Sequence, residues 1–266
     1  MKVVTWNCNL NLVKKFEFIE QYKPDIAIIQ ECEKLDKSYF PNSEYWWIGK
    51  DEKKGLGIII FNKSAKISNS YNETLVYFLP LQTDEIKILG TWAYNHRAKQ
   101  RFGDDFKGGA SDALKYYKDW LLQDEKIIVS GDFNNSVLWD RRDNTNNFKN
   151  INQKLNEFNF FSAYHHFTKE NFGEEKQATL FHTKNQNKPY FVDYFYLKNM
   201  SINNFVIGNY DKWISLDKLS KEIDEIELKS KIKFIDTRKN VNNTTQGYKK
   251  ITNKYHGDIT INELRD

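Results

Sequence analysis

Cysteine is scarce: Cys8 and Cys32 are the only two in 266 residues. Neither a C-x-x-C nor a Cys/His cluster occurs, which argues against a zinc site. The two thiols follow consecutive strand-like runs and could be neighbours. Free buried thiols in a reducing cytoplasm are the simpler reading, so a cytoplasmic protein is expected. No apolar run approaches the roughly 18 residues of a membrane span, and 29% of residues are charged, so no membrane partner is expected. The opening MKVVTWNCN has no apolar h-region, and no secretory signal is expected. The net charge of +4 is too small to imply nucleic acid by itself, although a local patch could serve a phosphate-bearing substrate. No internal repeat is visible, and nothing in the sequence sets the oligomeric state.

What is present is enough apolar material for a large core without staples, 39% hydrophobic with 15% aromatic. Strand-like runs alternate with amphipathic helical patterns. VVTW (3–6), DIAIIQE (25–31), GLGIIIFN (55–62), KILGTWA (87–93), KIIVSGDF (126–133) and YFVDYFYL (190–197) read as strands, the last with aromatics on both faces. LVYFLPL (75–81) is a further candidate, in which Pro80 points to an edge or a strand end. Leu12, Phe16, Ile19 and Tyr22 mark one helix face, and Phe148, Ile151, Leu155 and Phe158 another. Between them, Ser111 or Asp112 is expected to cap a helix carrying Leu114, Tyr117 and Leu121. The alternation implies a mixed α/β fold. Runs such as IAII, III and IIV favour strands buried on both faces, as in sheet packed on sheet with helices outside. After about residue 214 the composition turns charged and then polar, so 1–214 reads as the domain and 215–266 as a divergent charged extension.

Polar residues recur at strand ends. Asn7 ends the first strand, Glu31 the second, and Asp132 and Asn134 the SGDFN strand, while Asp193 sits within the aromatic one. Residues two apart on a strand share a face, so Asp132 and Asn134 are expected on the same side. Three converging carboxylates would repel one another, and a hard cation relieves that repulsion. Oxygen ligands completed by water suit Mg²⁺ or Mn²⁺. Such a site fits phosphate-ester cleavage: the metal neutralises charge on a phosphoryl oxygen, a carboxylate orients or activates water, and Asn134 donates to phosphoryl oxygens. Taken singly, each residue also fits a bland role. Strand-end Asp and Asn are common turn residues, and Asp193 could make a buried structural hydrogen bond.

TWNCN, IIQE, SGDFN and PYFVDYFY, in this order and spacing, resemble the endonuclease/exonuclease/phosphatase superfamily, the DNase I-like proteins. The resemblance covers about residues 1–214. It implies a four-layer α/β/β/α sandwich of two mixed sheets packed face to face with outer helices, plus an atypical C-terminal extension. It further implies that Asn7 helps order metal and phosphate, Glu31 is the principal metal ligand, Asp132 positions the water nucleophile, Asn134 contacts phosphate and Asp193 holds a catalytic His. TWAYNHR (91–97) lies where relatives place phosphate-contacting residues, which makes Tyr94, Asn95 and His96 candidates for substrate binding.

The C-terminus departs from the pattern. Relatives carry S-D-H before a final strand, whereas here Asp217 stands at the motif's Asp, a metal-side position, and Lys218 at its His. Lysine ionises near pH ~10.4 against ~6.5 for histidine, so Lys218 would bind phosphate as a cation rather than act as a base. His256 could fold back into the site, and KIKFID (231–236) is the one substitute for the final strand. Two functions follow. One is a Mg²⁺-dependent phosphoester hydrolase, foremost a nuclease-type phosphodiesterase acting on nucleic acid. The alternative is a catalytically impaired member that binds nucleic acid or protein.

Overall fold

A computed structural model describes residues 1–95, 97, 103, 105, 107–142, 146–208 and 210, within the unit Met1–Lys212. Among them the strands are β1 (Val3–Asn7), β2 (Ile26–Cys32), β3 (Ser43–Asp51), β4 (Lys54–Phe61), β5 (Lys66–Ile67), β6 (Phe78–Gln82), β7 (Lys87–Trp92), β8 (Ile127–Asp132), β9 (Phe161–Ser162), β10 (Leu180–Phe181), β11 (Pro189–Tyr190) and β12 (Asp193–Lys198). The helices are α1 (Leu12–Glu20), α2 (Ala110–Tyr116), α3 (Lys118–Leu122), α4 (Phe148–Glu157) and α5 (Ala163–Thr168).

Two mixed sheets carry the fold. One runs β1-β2-β4-β3 and the other β5-β6-β7-β8-β12-β9; β10 and β11 form a separate two-stranded ribbon. Within the large sheets β1/β2 and β7/β8 are the parallel pairs, and the rest are antiparallel. The strand period of two sorts the side chains into layers. Ile26, Ile28, Leu56, Ile58 and Ile60 of the first sheet meet Leu79, Leu81, Ile88, Ile128 and Leu197 of the second in the core between the sheets. The alternate residues Leu89, Ile127, Val129, Tyr194 and Tyr196 face outward against α2, α3 and α4. On the other side α1 buries Leu12 and Ile19, and Phe16 packs edge-on against Phe40 at 4.9 Å. Gly90 lies where the sheets meet, and a Cβ there would press on the Ile58 Cδ1 methyl. Truncating Ile58, fully buried at that contact, would cost about 2–5 kcal/mol.

Several local expectations are corrected. Neither Ser111 nor Asp112 caps α2: Gly109 is the cap residue, both lie inside the first turn, and Asn146 Oδ1 accepts from the Ser111 N–H at 3.3 Å. The helix expected to run on through Leu121 breaks at Tyr117 into α2 and α3. Pro80 lies within β6 rather than at its end. Its carbonyl accepts from Ser68 on the β5 side, so its missing N–H faces that side, where β5 pairs only as far as Ile67, and no bond to β7 is lost. β3, SEYWWIGKD, was not anticipated, because its aromatics are interleaved with charged residues. The segment 231–236 and the boundary at 214–215 lie outside the described residues.

Candidate active site

Layering by period two also places the polar residues. On β1, Asn7 shares a face with Val3, which packs on the inter-sheet core. On β8, Asp132 shares the face of Ile128, and on β12, Asp193 shares that of Phe195 and Leu197. All three therefore point between the sheets at one end of the sandwich. Asp132 and Asp193 are cross-strand partners.

Glu31 obeys a different rule. It does not end β2: Cys32 follows it, and the ladder with β4 slips between Gln30 and Cys32. Glu31 is the bulged residue, with a left-handed φ of 57°. Gln30 takes the inward position and bonds Thr5, so regular alternation would send Glu31 to the outer face. The bulge re-aims it inward, and a left-handed glutamate costs on the order of 1 kcal/mol.

Asn7 joins the two sheets. Its Nδ2 donates to Glu31 Oε1 at 3.2 Å and to Asp132 Oδ2 at 3.0 Å, while its Oδ1 accepts from the N–H of Asn9. Asn134 is brought beside Asp132 by a turn, not by strand alternation, because β8 stops at Asp132. Its backbone N–H donates to Asp132 Oδ1 at 2.7 Å and its Nδ2 to Asp132 Oδ2 at 2.9 Å. Nδ2 also donates to the Ala93 carbonyl at 3.0 Å. Asn134 takes a left-handed φ of 46°, which asparagine tolerates well. Gly131, at φ 143°, precedes the pair, and a Cβ there would strike the Thr91 carbonyl of β7.

The electrostatics follow from burial. Desolvation raises the Asp132 carboxyl from its ordinary value to about 7, helped by the charge of Glu31 and opposed by the hydrogen bonds from Asn134 and Asn7. Burial, and after it the charge of Asp132, push Asp193 well up, against a hydrogen bond from Thr179. Among the described residues Asp193 Oδ1 is buried without a hydrogen-bond partner.

Tyr94 packs partly buried against the inter-sheet core just beyond β7. Asn95 is exposed and its Oδ1 accepts from the N–H of Arg97. His96, Asp217, Lys218 and His256 lie outside the described residues. Two groups not anticipated for the site stand at its edge. Lys54 Nζ lies 2.7 Å from Glu31 Oε2, and the Trp92 ring, at the end of β7, lies under that ammonium at 5.5 Å. The signal for Lys54 was available: it heads the inward row Leu56, Ile58, Ile60, where a charge has no packing role. Two shallow clefts of about 350 and 390 Å³ lie elsewhere, lined by residues such as Asn42, Asn62, Ser64 and Gln82. They contain none of these groups.

The sequence matches no protein-family model and no curated protein. Solved structures do match. A 3′-5′ exonuclease from Neisseria meningitidis aligns at TM-score 0.56 and 16% identity, over 74% of this chain and 87% of that one. A Neisseria 3′ phosphatase bound to a product DNA hairpin aligns at TM-score 0.56 and 15% identity, over 75% and 87%. The AP endonuclease from Leishmania major aligns at TM-score 0.53 and 13% identity, over 73% and 78%. The chain therefore shares the fold of these solved structures, two mixed sheets packed face to face.

Proposed function

We propose that this chain is a divalent-metal-dependent phosphoester hydrolase, of nuclease type and acting on nucleic acid. The observation that carries this reading is the Asn7 amide, which ties Glu31 of one sheet to Asp132 of the other at one end of the sandwich. The solved structures that share the fold, an exonuclease, an AP endonuclease and a phosphatase bound to DNA, support the choice of substrate.

Asp132 acts on the attacking water. Burial raises its carboxyl to about 7 without a cation, and a cation held beside it would favour the ionised form that accepts a proton. Asn134 spends its amide hydrogens on Asp132 and Ala93, so in this arrangement it orients the base. Asp193 holds a second acidic position beside Asp132. Among the described residues no three His, Cys, Asp or Glu side chains form a ready-made metal cage. Mg²⁺ or Mn²⁺ still fits, because Mg²⁺ commonly takes one or two carboxylates with the rest of its shell from water and phosphate. Glu31, 19% exposed, would hold it. When bound, the ion neutralises charge on a phosphoryl oxygen. Buried free Cys8 and Cys32 fit a cytoplasmic protein, and residues 1–214 are taken as the hydrolase domain.

The test is hydrolysis of single-stranded, plasmid and abasic-site DNA by the purified chain with Mg²⁺ or Mn²⁺. Cleavage should fall by about 10³-fold or more in Asp132→Ala and Glu31→Ala; absence of turnover in the wild type on DNA, RNA and simple phosphate esters would reject the reading. Lys218, standing where the resembled motif has His, favours a second reading, a catalytically impaired member that binds nucleic acid or protein. It requires retention of DNA in a gel-shift assay without cleavage.

A further inference from the structure

Among the described residues, the carboxylates Glu31, Asp132 and Asp193 gather at one end of the sandwich, a group that offers an incoming phosphoester no positive charge. Lys54 is the cation paired with that group. By the two-residue repeat it continues the inward face of β4 formed by Leu56, Ile58 and Ile60. Its side chain is 44% exposed, and it reaches across from the first sheet toward the second. There Trp92, register partner of Asp132, stacks on Tyr77 with centroids 5.0 Å apart and planes at 10°. The Tyr77 hydroxyl in turn accepts from the N–H of Lys50 on β3. The ring under the ammonium is thus fixed from both sheets.

An ammonium has three N–H donors. One meets Glu31, the ring holds the head by a cation–π contact, and the partly exposed head retains donor capacity toward solvent. A lysine that served packing alone would need neither the aromatic platform nor a place beside Asp132's register partner. We propose that Lys54, seated over Trp92, is a phosphate-binding residue of this site, engaging a non-bridging oxygen of the phosphoester. The proposal rests on the phosphoesterase reading and assigns the site a cation that its acids lack.

The experiment uses the full chain with bis(p-nitrophenyl) phosphate as substrate, inorganic phosphate as competing ligand, and Asp132→Asn as control. Lys54→Met should raise KM and the inhibition constant for phosphate by about tenfold or more, as expected for a lost charged hydrogen bond, with a smaller change in kcat. Lys54→Arg should restore most of both. Quenching of tryptophan fluorescence by phosphate should weaken in Lys54→Met and diminish in Trp92→Phe. A thermal midpoint that falls in Lys54→Met while KM and the phosphate constant stay within about twofold would overturn the assignment, leaving only a structural ion pair. Loss of turnover in Asp132→Asn alongside that result would leave the phosphoesterase reading intact. If the wild type turns over no phosphoester, that reading fails, and the fluorescence titration decides Lys54 by itself: no phosphate binding, or equal binding by Lys54→Met, overturns it.

Discussion

Two buried polar clusters in this molecule differ in kind. One is the acidic group of Glu31, Asp132 and Asp193 with its two asparagines. The other lies at α5: Ser162 Oγ and His165 Nδ1 are 2.7 Å apart, and His165 Nε2 is 3.0 Å from Glu175 Oε1. By residue type the second resembles a hydrolase triad. Burial does not separate the two: His165 and Glu175 are 7% and 5% exposed, Asp132 3%, and Phe172 stacks on the imidazole at 3.6 Å. Burial pushes the Glu175 carboxyl up, but hydrogen bonds from His165 and the N–H of Gly173 outweigh it and hold the group below its ordinary value. In the first cluster burial and like charge drive the carboxyls upward instead. Complementary partners mark a structural cluster. Crowded acids are the arrangement expected of a functional one, because such a group lowers stability unless something else binds it.

The comparison breaks most visibly at Glu175. Glu175→Ala leaves the His165 edge and the Gly173 N–H without a partner in a closed space, and should destabilise the fold by about 2–4 kcal/mol. Glu175→Gln, which keeps a hydrogen-bonding group, should cost less. Urea unfolding measures both. Turnover per folded molecule should be unchanged, and a selective loss of activity would make the α5 cluster part of the chemistry.

Asp132 should answer in the opposite sense. Its folded value of about 7 lies above that of an unfolded aspartate. Between about pH 4 and pH 7 the native state keeps a proton that the unfolded chain has released, so stability falls as pH rises through that window and then levels. Asp132→Asn cannot ionise and escapes that fall. Relative to wild type, the variant should gain on the order of 1–3 kcal/mol between pH 4 and pH 8, read from urea midpoints in EDTA. On the proposed function the same substitution should also abolish turnover. A difference that does not change with pH would mean that Asp132 is already ionised without cost.

How much of this was legible in the sequence depends on which local rule placed each residue. Asn7, Asp132 and Asp193 could be found because ordinary alternation carries them inward at the ends of apolar strands. Glu31 was found by its motif, but its geometry was hidden, since a bulge with φ 57° reverses the side that alternation predicts. Asn134 was expected beside Asp132 for the wrong reason: a turn, not the strand period, sets it there. Lys54 was missed because a lysine after Asp51-Glu52-Lys53 reads as hairpin surface, although its parity with Leu56 is inward. The α5 cluster was missed because six helical residues are too few to show a period. The layered sheets were legible because IAII, III and IIV are apolar on both faces, whereas β3 mixes charge with aromatics and gives no clean signal.

Thr179 lies where the two clusters approach one another along the chain. The segment after α5 is tied down through Glu175, and a few residues later the Thr179 Oγ1 accepts the N–H groups of Val192 and Asp193 at 3.0 and 3.1 Å. The same hydroxyl opposes the rise of the Asp193 carboxyl. Thr179→Val keeps the shape but removes the acceptor from two backbone donors at the head of β12. It should cost about 1–2 kcal/mol and drive the Asp193 carboxyl higher still, with the stability difference read by urea unfolding and the carboxyl by its NMR titration. Thr179→Ser keeps the hydroxyl and should stay within about 0.5 kcal/mol of wild type on both counts. If valine is tolerated as well as serine, the hydroxyl is not what fixes Asp193, and the acidic cluster owes its geometry to the β8–β12 ladder alone.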